Sequence, residues 1–145
     1  KLNTAHNLDQ IFPNSSLMKI PKKKNLKEII KNIFNENFVI RNLEIFAKPA
    51  KTGMKAPFHQ DNFYWNIIDK RAVNIWIALD KVTKKNGGLI YLKGSHKGGV
   101  LKHEISNVRG TSQEIKKSMI KKLNYQIKTP LLNRGDCLVH HSIVR

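Results

Sequence analysis

The stretch Ala72-Val-Asn-Ile-Trp-Ile-Ala-Leu79 sets the strongest constraint on the fold. Its alternation predicts a strand with Asn74, Trp76 and Ala78 on one face and Val73, Ile75, Ile77 and Leu79 on the other. The second face is ordinary core. The first places an amide beside an indole, which suits the lining of a polar cavity inside a barrel. Further β-rich segments are expected at Phe38–Ala47, stopped by Pro49, at Phe58–Tyr64 as an extended or edge segment, and at Leu89–Leu92, Tyr125–Leu132 and Cys137–Val144. Turn formers separate them: Lys84–Gly88, the Gly-rich Gly94–Gly99, and Asn133–Asp136. Two helices are expected. One runs from an Asn25 N-cap through Leu26, Ile29, Ile30 and Ile33 to about Asn35; the other covers 111–123 with a basic outer face. Many short strands and few helices predict an all-β sandwich or barrel with helical additions, in a single domain over the 145 residues.

The net charge of +17 invites a nucleic-acid reading. The detail of the composition disfavours it. Lys, Asn and Ile (22, 15 and 17 residues) rise together, as A/T-rich codon usage would produce in any protein, while Arg, the residue of bidentate phosphate and guanine contacts, numbers only 5. The tightest basic run, Lys22-Lys23-Lys24, reads as a solvated face beside Pro21. A basic nucleic-acid-binding module is therefore the weakest of the readings. No apolar run approaches the roughly 20 residues of a spanning helix, so no membrane role is expected. Cys137 is the single cysteine, which leaves no disulfide framework and no Cys-based zinc site, and the expected location is cytoplasmic. Cys137 itself reads as a small buried residue.

Chemistry concentrates in Phe58-His-Gln-Asp-Asn-Phe-Tyr-Trp65. On an extended chain, His59 and Asp61 point to the same side and can reach one metal ion from adjacent corners. Two His and one carboxylate on one face, with open positions opposite, are what a mononuclear Fe(II) oxygenase requires. The pair by itself is weak, because a surface hydrogen bond would look the same in sequence.

Longer blocks carry more information. Phe46-Ala-Lys-Pro49, Pro57-Phe-His-Gln-Asp61, Asn74-Ile-Trp-Ile-Ala-Leu-Asp80, Asn86-Gly-Gly-Leu-Ile-Tyr-Leu-Lys-Gly-Ser-His-Lys97 and Arg134-Gly-Asp-Cys-Leu-Val-His-His141 occur in this order. From about Leu26 onward the chain resembles the phytanoyl-CoA dioxygenase family of Fe(II)/2-oxoglutarate-dependent oxygenases. The resemblance implies a mainly β fold with flanking helices, a double-stranded β-helix (a jelly-roll, cupin-like barrel). It implies Fe(II) as cofactor, with 2-oxoglutarate and O2 as co-substrates. The implied reaction couples oxidative decarboxylation of 2-oxoglutarate to hydroxylation of a small organic or acyl substrate. His59 and Asp61 match the first two metal ligands. The third, a His ten residues after the Asp of the Gly-Asp turn, would fall at position 146, one past Arg145. The Arg that binds 2-oxoglutarate would come later still. The resemblance thus makes this chain a barrel incomplete at both ends, and the rival to an active oxygenase is a non-catalytic relative, or an inactive fragment lacking the distal His.

Other positions carry lesser expectations. Trp76 matches a tryptophan beside the co-substrate, with core packing as the competing explanation. Asn74 shares its face and could donate to an oxo-acid, and Lys48 could lean toward a carboxylate. Gln60, Tyr64 and Trp65 are candidates for the substrate mouth. His140 and His141 match strand residues before the distal ligand and are expected near the site without binding metal. His96 belongs to a structural loop, and His6 and His103 read as ordinary surface histidines. Asp61 disfavours halogenation, which in related enzymes requires a small residue at that position.

Overall fold

The computed structural model describes residues 4–67, 71–120 and 124–145, which form two compact units, Lys1–Pro49 and Ala50–Arg145. Among the described residues no helix is long and apolar enough to cross a membrane.

In the first unit, β1 (Thr4–Ala5) pairs antiparallel with β2 (Ile45–Phe46). Between them lie α1 (Leu8–Ile11), a 3-10 turn (Ser16–Lys19) and α2 (Lys24–Phe34). α2 follows its apolar spacing: Leu26 and Ile30 are buried with Leu8, whereas Ile33 stays exposed. Lys23 holds the N-cap position instead of Asn25, which sits in the first turn and accepts a bond from the Leu26 N–H (3.0 Å). Asn35 ends the helix in the left-handed conformation that Asn tolerates, its N–H donating to Lys31 O (2.7 Å). The β-rich 38–47 segment pairs only at Ile45–Phe46. Val39 is 91% exposed, so its strand propensity finds no neighbour to pack on.

The second unit has α3 (Asp61–Trp65), β3 (Val73–Ile77), β4 (Tyr91–Leu92), a 3-10 turn (Ser95–Gly98), β5 (His103–Ile105), β6 (Gln113–Ile115), α4 (Lys117–Ile120), β7 (Ile127–Lys128) and β8 (Cys137–His141). Three antiparallel pairs form: β3–β8, β4–β7 and β5–β6. The expected strand at Ala72–Leu79 is β3, and its partner is the last β segment, in a register that sets Asn74 opposite His140 and Trp76 opposite Leu138. Hydrogen bonds lengthen this ladder beyond both ends, from Ser142 N to Ala72 O and from Ala78 N to Asp136 O. The reversal into β8 uses Gly135 at φ 92°, a conformation open to glycine and costly for other residues. Single bonds join the pairs to their neighbours: Leu92 N donates to Arg145 O, and Ile115 N to Phe58 O. The buried apolar residues are Ala78, Leu92, Ile115, Leu132 and Ile143.

The architecture is thus mainly β, in small sheets with a few short helices, and the described residues close no barrel. The strands expected at Leu89–Leu92, Tyr125–Leu132 and Cys137–Val144 are shorter than expected, confined to Tyr91–Leu92, Ile127–Lys128 and Cys137–His141. Two further segments differ in kind. Residues 111–123 were expected to be helical. Instead Gln113–Ile115 is strand β6, because Ile115 buries its side chain and pairs opposite His103, and only Lys117–Ile120 is helical; 121–123 lie outside the described residues. Phe58–Tyr64 is extended only through Gln60 and then coils into α3.

Candidate metal centre

The residue between the two expected ligands anchors the site. Gln60 is fully buried, and its backbone N–H donates to His103 Nε2 (3.1 Å). Its side-chain amide donates to Gly99 O (2.9 Å) and Ile143 O (2.6 Å), and its Oε1 accepts from Leu101 N (2.7 Å). Asn62, also buried, donates through its backbone N–H to Ser142 O (2.8 Å). These ties fasten the chain on both sides of Asp61 to the segment following β8. Gln60 therefore belongs to the interior, not to a substrate mouth: a polar side chain without apolar periodicity gave no hint that it would be buried and satisfied.

With Gln60 pinned in an extended conformation, His59 and the first residue of α3, Asp61, emerge on the same side. His59 Nε2 lies 3.5 Å from Asp61 Oδ1, with side chains 38% and 21% exposed. His59 Nδ1 is 2.9 Å from Pro57 O; a carbonyl only accepts, so Nδ1 carries the proton. In the neutral ring, Nε2 then presents a lone pair to a carboxylate oxygen. Two acceptors facing each other across that gap call for a cation between them, either a proton or a metal ion. The separation lies within the span of two donors that each sit about 2.0–2.2 Å from one ion.

The far oxygen of Asp61 is held from behind. His140 Nε2 lies 3.2 Å from Oδ2, and Asn74 Nδ2 donates to the same atom at 3.3 Å. Both donors follow from the β3–β8 register, which puts residues 74 and 140 side by side on one face. Tyr91 Oη lies 2.9 Å from His140 Nδ1. Burial alone would push Asp61 up; its hydrogen bonds with His140 and His59, and their charges, outweigh burial and hold the carboxyl well below its ordinary value. Burial would push His59 down, but its bonds to Asp61 and Pro57 and the carboxylate charge raise it on balance. Burial, and then the Asp61 charge, push the Tyr91 phenol up, which keeps it a donor.

The other candidates fall as follows. Trp76 shares the Asn74 face of β3 and is half-buried. Tyr64 is on the surface, its hydroxyl donating to Gln113 O (2.6 Å) and its ring edge-on to His59 at 5.9 Å. Trp65 ends α3 half-buried. Lys48 is in the first unit, its ammonium 5.7 Å from the Phe46 ring centre. His141 stacks on His96 at 5.9 Å. His6 is a surface residue paired with Glu44 (2.8 Å). His103, expected on the surface, is buried and stacked on Phe63 at 4.0 Å, because Gln60 needs an acceptor there. Cys137 is a half-buried free thiol. A cavity of about 320 Å³ opens beside the site, with Tyr91, His140, Leu138 and His141 among its walls.

Among the described residues, no three His, Cys, Asp or Glu side chains converge as a metal-holding set. The donor set that fits a metal ion is the pair His59 Nε2 and Asp61 Oδ1. His140 was expected near the site; its direct bond to Asp61, and Tyr91 behind it, were not foreseen. The only signal for them was the shared alternation of Asn74 and His140, which becomes meaningful once the strand pairing is known.

The family model described as phytanoyl-CoA dioxygenase (PhyH) matches residues 4–144. The chain is 30% identical over 110 residues to the phytanoyl-CoA dioxygenase domain-containing protein 1 of Bos taurus, covering 73% of this chain and 38% of that protein. It is 31% identical over 104 residues to phytanoyl-CoA dioxygenase 1 of Oryza sativa subsp. japonica, covering 71% and 35%. It is 27% identical over 137 residues to the L-proline trans-4-hydroxylase of Streptomyces griseoviridis, covering 92% and 49%. The chain thus spans less than half the length of each of these relatives.

Proposed function

The chain belongs to the phytanoyl-CoA dioxygenase family, and from that premise we propose that it forms part of a non-haem Fe(II)/2-oxoglutarate-dependent dioxygenase that hydroxylates a small organic or acyl substrate. One observation carries the reading. His59 Nε2 and Asp61 Oδ1 face each other at 3.5 Å with their remaining polar atoms already engaged, which leaves two free acceptors aimed at one point. Bound there, Fe(II) with 2-oxoglutarate would supply the activation of O2 and the oxidation of the substrate. The chain's own residues supply placement. Pro57 fixes the His59 tautomer, Gln60 fixes the spacing of the two donors, and Asn74 and His140 fix the carboxylate. The neighbouring cavity of about 320 Å³, walled by Tyr91, Leu138, His140 and His141 among others, is in the size range of small-molecule sites. Trp76 and Asn74, on the partner strand β3, are proposed to face the co-substrate on the strength of the family resemblance.

The family match crosses both units, which supports reading them as one oxygenase domain, and the linked strand pairs of the second unit are read as parts of a double-stranded β-helix. A non-catalytic relative is the second reading. The test is succinate formation from 2-oxoglutarate with added Fe(II) by the complete protein of which this chain forms part. The oxygenase reading expects iron-dependent succinate that disappears in Asp61→Ala. Turnover undiminished in that variant would remove Asp61 from the metal, and a parent protein that binds iron but forms no succinate would favour the non-catalytic reading.

A further inference from the structure

The reading of His59 and Asp61 as the metal-holding pair leaves two polar side chains behind them without a role. His140 Nε2 is 3.2 Å from Asp61 Oδ2, and its other nitrogen is 2.9 Å from the Tyr91 hydroxyl. Both side chains come from strands, Tyr91 from β4 and His140 from β8, so both are set by ladder register and not by loop conformation. The His140 side chain is only 14% exposed, and the Tyr91 and His140 rings lie 5.2 Å apart.

The chemistry of the partners decides which atoms carry protons. A carboxylate oxygen accepts and never donates, so His140 Nε2 must carry its hydrogen toward Asp61. In a neutral imidazole the other nitrogen is then an acceptor, and the Tyr91 O–H fills it. In this arrangement neither nitrogen of His140 has a free lone pair for a metal. Its Nε2–H points at the oxygen of Asp61 that faces away from His59, and Asn74 donates to that same oxygen. With Oδ2 doubly engaged, Asp61 can offer only Oδ1 to an ion beside His59.

We propose that His140, held in one tautomer by Tyr91, is a positioning residue that makes Asp61 a one-oxygen metal ligand. This rests on the reading of His59 and Asp61 as the metal pair. Outer partners of this kind typically change metal affinity by about 10- to 100-fold when removed.

The experiment is a Co(II) titration of the purified protein, read by visible absorption and calorimetry, with the variants His59→Ala, His140→Phe, His140→Gln and Tyr91→Phe. The expected parent binds Co(II), and His59→Ala loses that binding. His140→Phe should weaken it by about 10- to 100-fold. His140→Gln, which keeps an N–H donor, should recover part of the loss. Tyr91→Phe removes a single oxygen and keeps the ring; it should weaken binding less than His140→Phe, and it decides the matter if the His140 variants do not fold. Parent-like affinity in both His140→Phe and Tyr91→Phe, with His59→Ala still defective, overturns the positioning role and leaves the metal pair standing. Tighter binding in Tyr91→Phe overturns it too, since freeing His140 Nδ1 to carry the proton would expose Nε2 as a ligand. No Co(II) binding by the parent overturns the metal pair and the positioning role together.

Discussion

Asn74 and His140 stand opposite each other on the β3–β8 ladder, and both reach the same oxygen of Asp61, at 3.3 and 3.2 Å. A single pairing register therefore orients a carboxylate that belongs to neither strand. Asn74→Leu leaves Oδ2 with one donor and frees the carboxylate to rotate. Metal affinity, measured by Co(II) titration, should fall by about tenfold while the fold is kept. Unchanged affinity would show that His140 suffices alone.

Metal should stabilise the folded chain through the same pair. Thermal denaturation with Co(II) at about 100 times its dissociation constant should show roughly 2.7 kcal/mol of added stability. His59→Ala should show no such shift. An equal shift in that variant would place the ion elsewhere.

Gln60→Leu tests the anchor. The change strands the carbonyl of Ile143 and the N–H of Leu101 in the interior, and Gly99 O keeps only its bond from Arg145 (2.9 Å). The cost should be about 2–4 kcal/mol in urea denaturation, with loss of metal binding as a consequence. Gln60→Glu should be worse, because it turns an acceptor toward two carbonyls. A neutral result for both would refute the anchoring role.

His103 gives stability a pH dependence. Burial lowers its proton affinity, more than its bond to Leu101 O raises it, and the charges of His59 and Arg145 lower it further. Its Nε2 must stay unprotonated to accept from Gln60 N. Above the ordinary imidazole value of about 6.5 both folded and unfolded forms are neutral, and the contribution is complete. As pH falls below that value the unfolded chain takes up a proton that the folded one resists, so stability is lost as pH falls through the folded-state value. Urea midpoints between about pH 8 and pH 5 should decline more steeply for the parent than for His103→Asn. Parallel curves would count against a neutral buried His103.

Gly88→Ala should destabilise the turn before β4. A Cβ there would come within 2.7 Å of Thr83 O, a backbone atom that cannot swing away, and Gly88 N already donates to that oxygen (2.9 Å). About 1–3 kcal/mol of lost stability is expected in the same urea assay. A change below the assay's resolution would mean that the turn moves freely.

Much of this arrangement was visible before any fold was known, for reasons that differ by residue. The strand at β3 was legible from its run of β-branched and aromatic residues, but the Val73, Ile75 and Ile77 face expected to be core is only half-buried, Leu79 is exposed, and Ala78 on the opposite face is the buried residue. His59 with Asp61 was legible because two residues apart on extended backbone share a side. Residues 113–115 were misread because three strand residues between polar neighbours carry too little pattern to compete with helical propensity. Gln60 and His103 were misjudged because their burial depends on partners far away in sequence: the Gln60 amide on Gly99, Leu101 and Ile143, and His103 on the Phe63 ring and the Gln60 N–H, relations that no local pattern records. The resemblance set His140 near the site, but its bonds to Asp61 and Tyr91 stayed hidden for the same reason: they depend on which strands pair.

The alternation around Gln60 divides labour by parity. Positions 60 and 62 grip the interior, while 59 and 61 hold the reactive atoms at a partly open edge. Replacing the half-exposed His59 would strip the chemistry and leave the grip intact. A variant of that kind should match the parent's stability when no metal is present and lag behind it only when metal is added, so a folding assay run without metal would be no guide to competence.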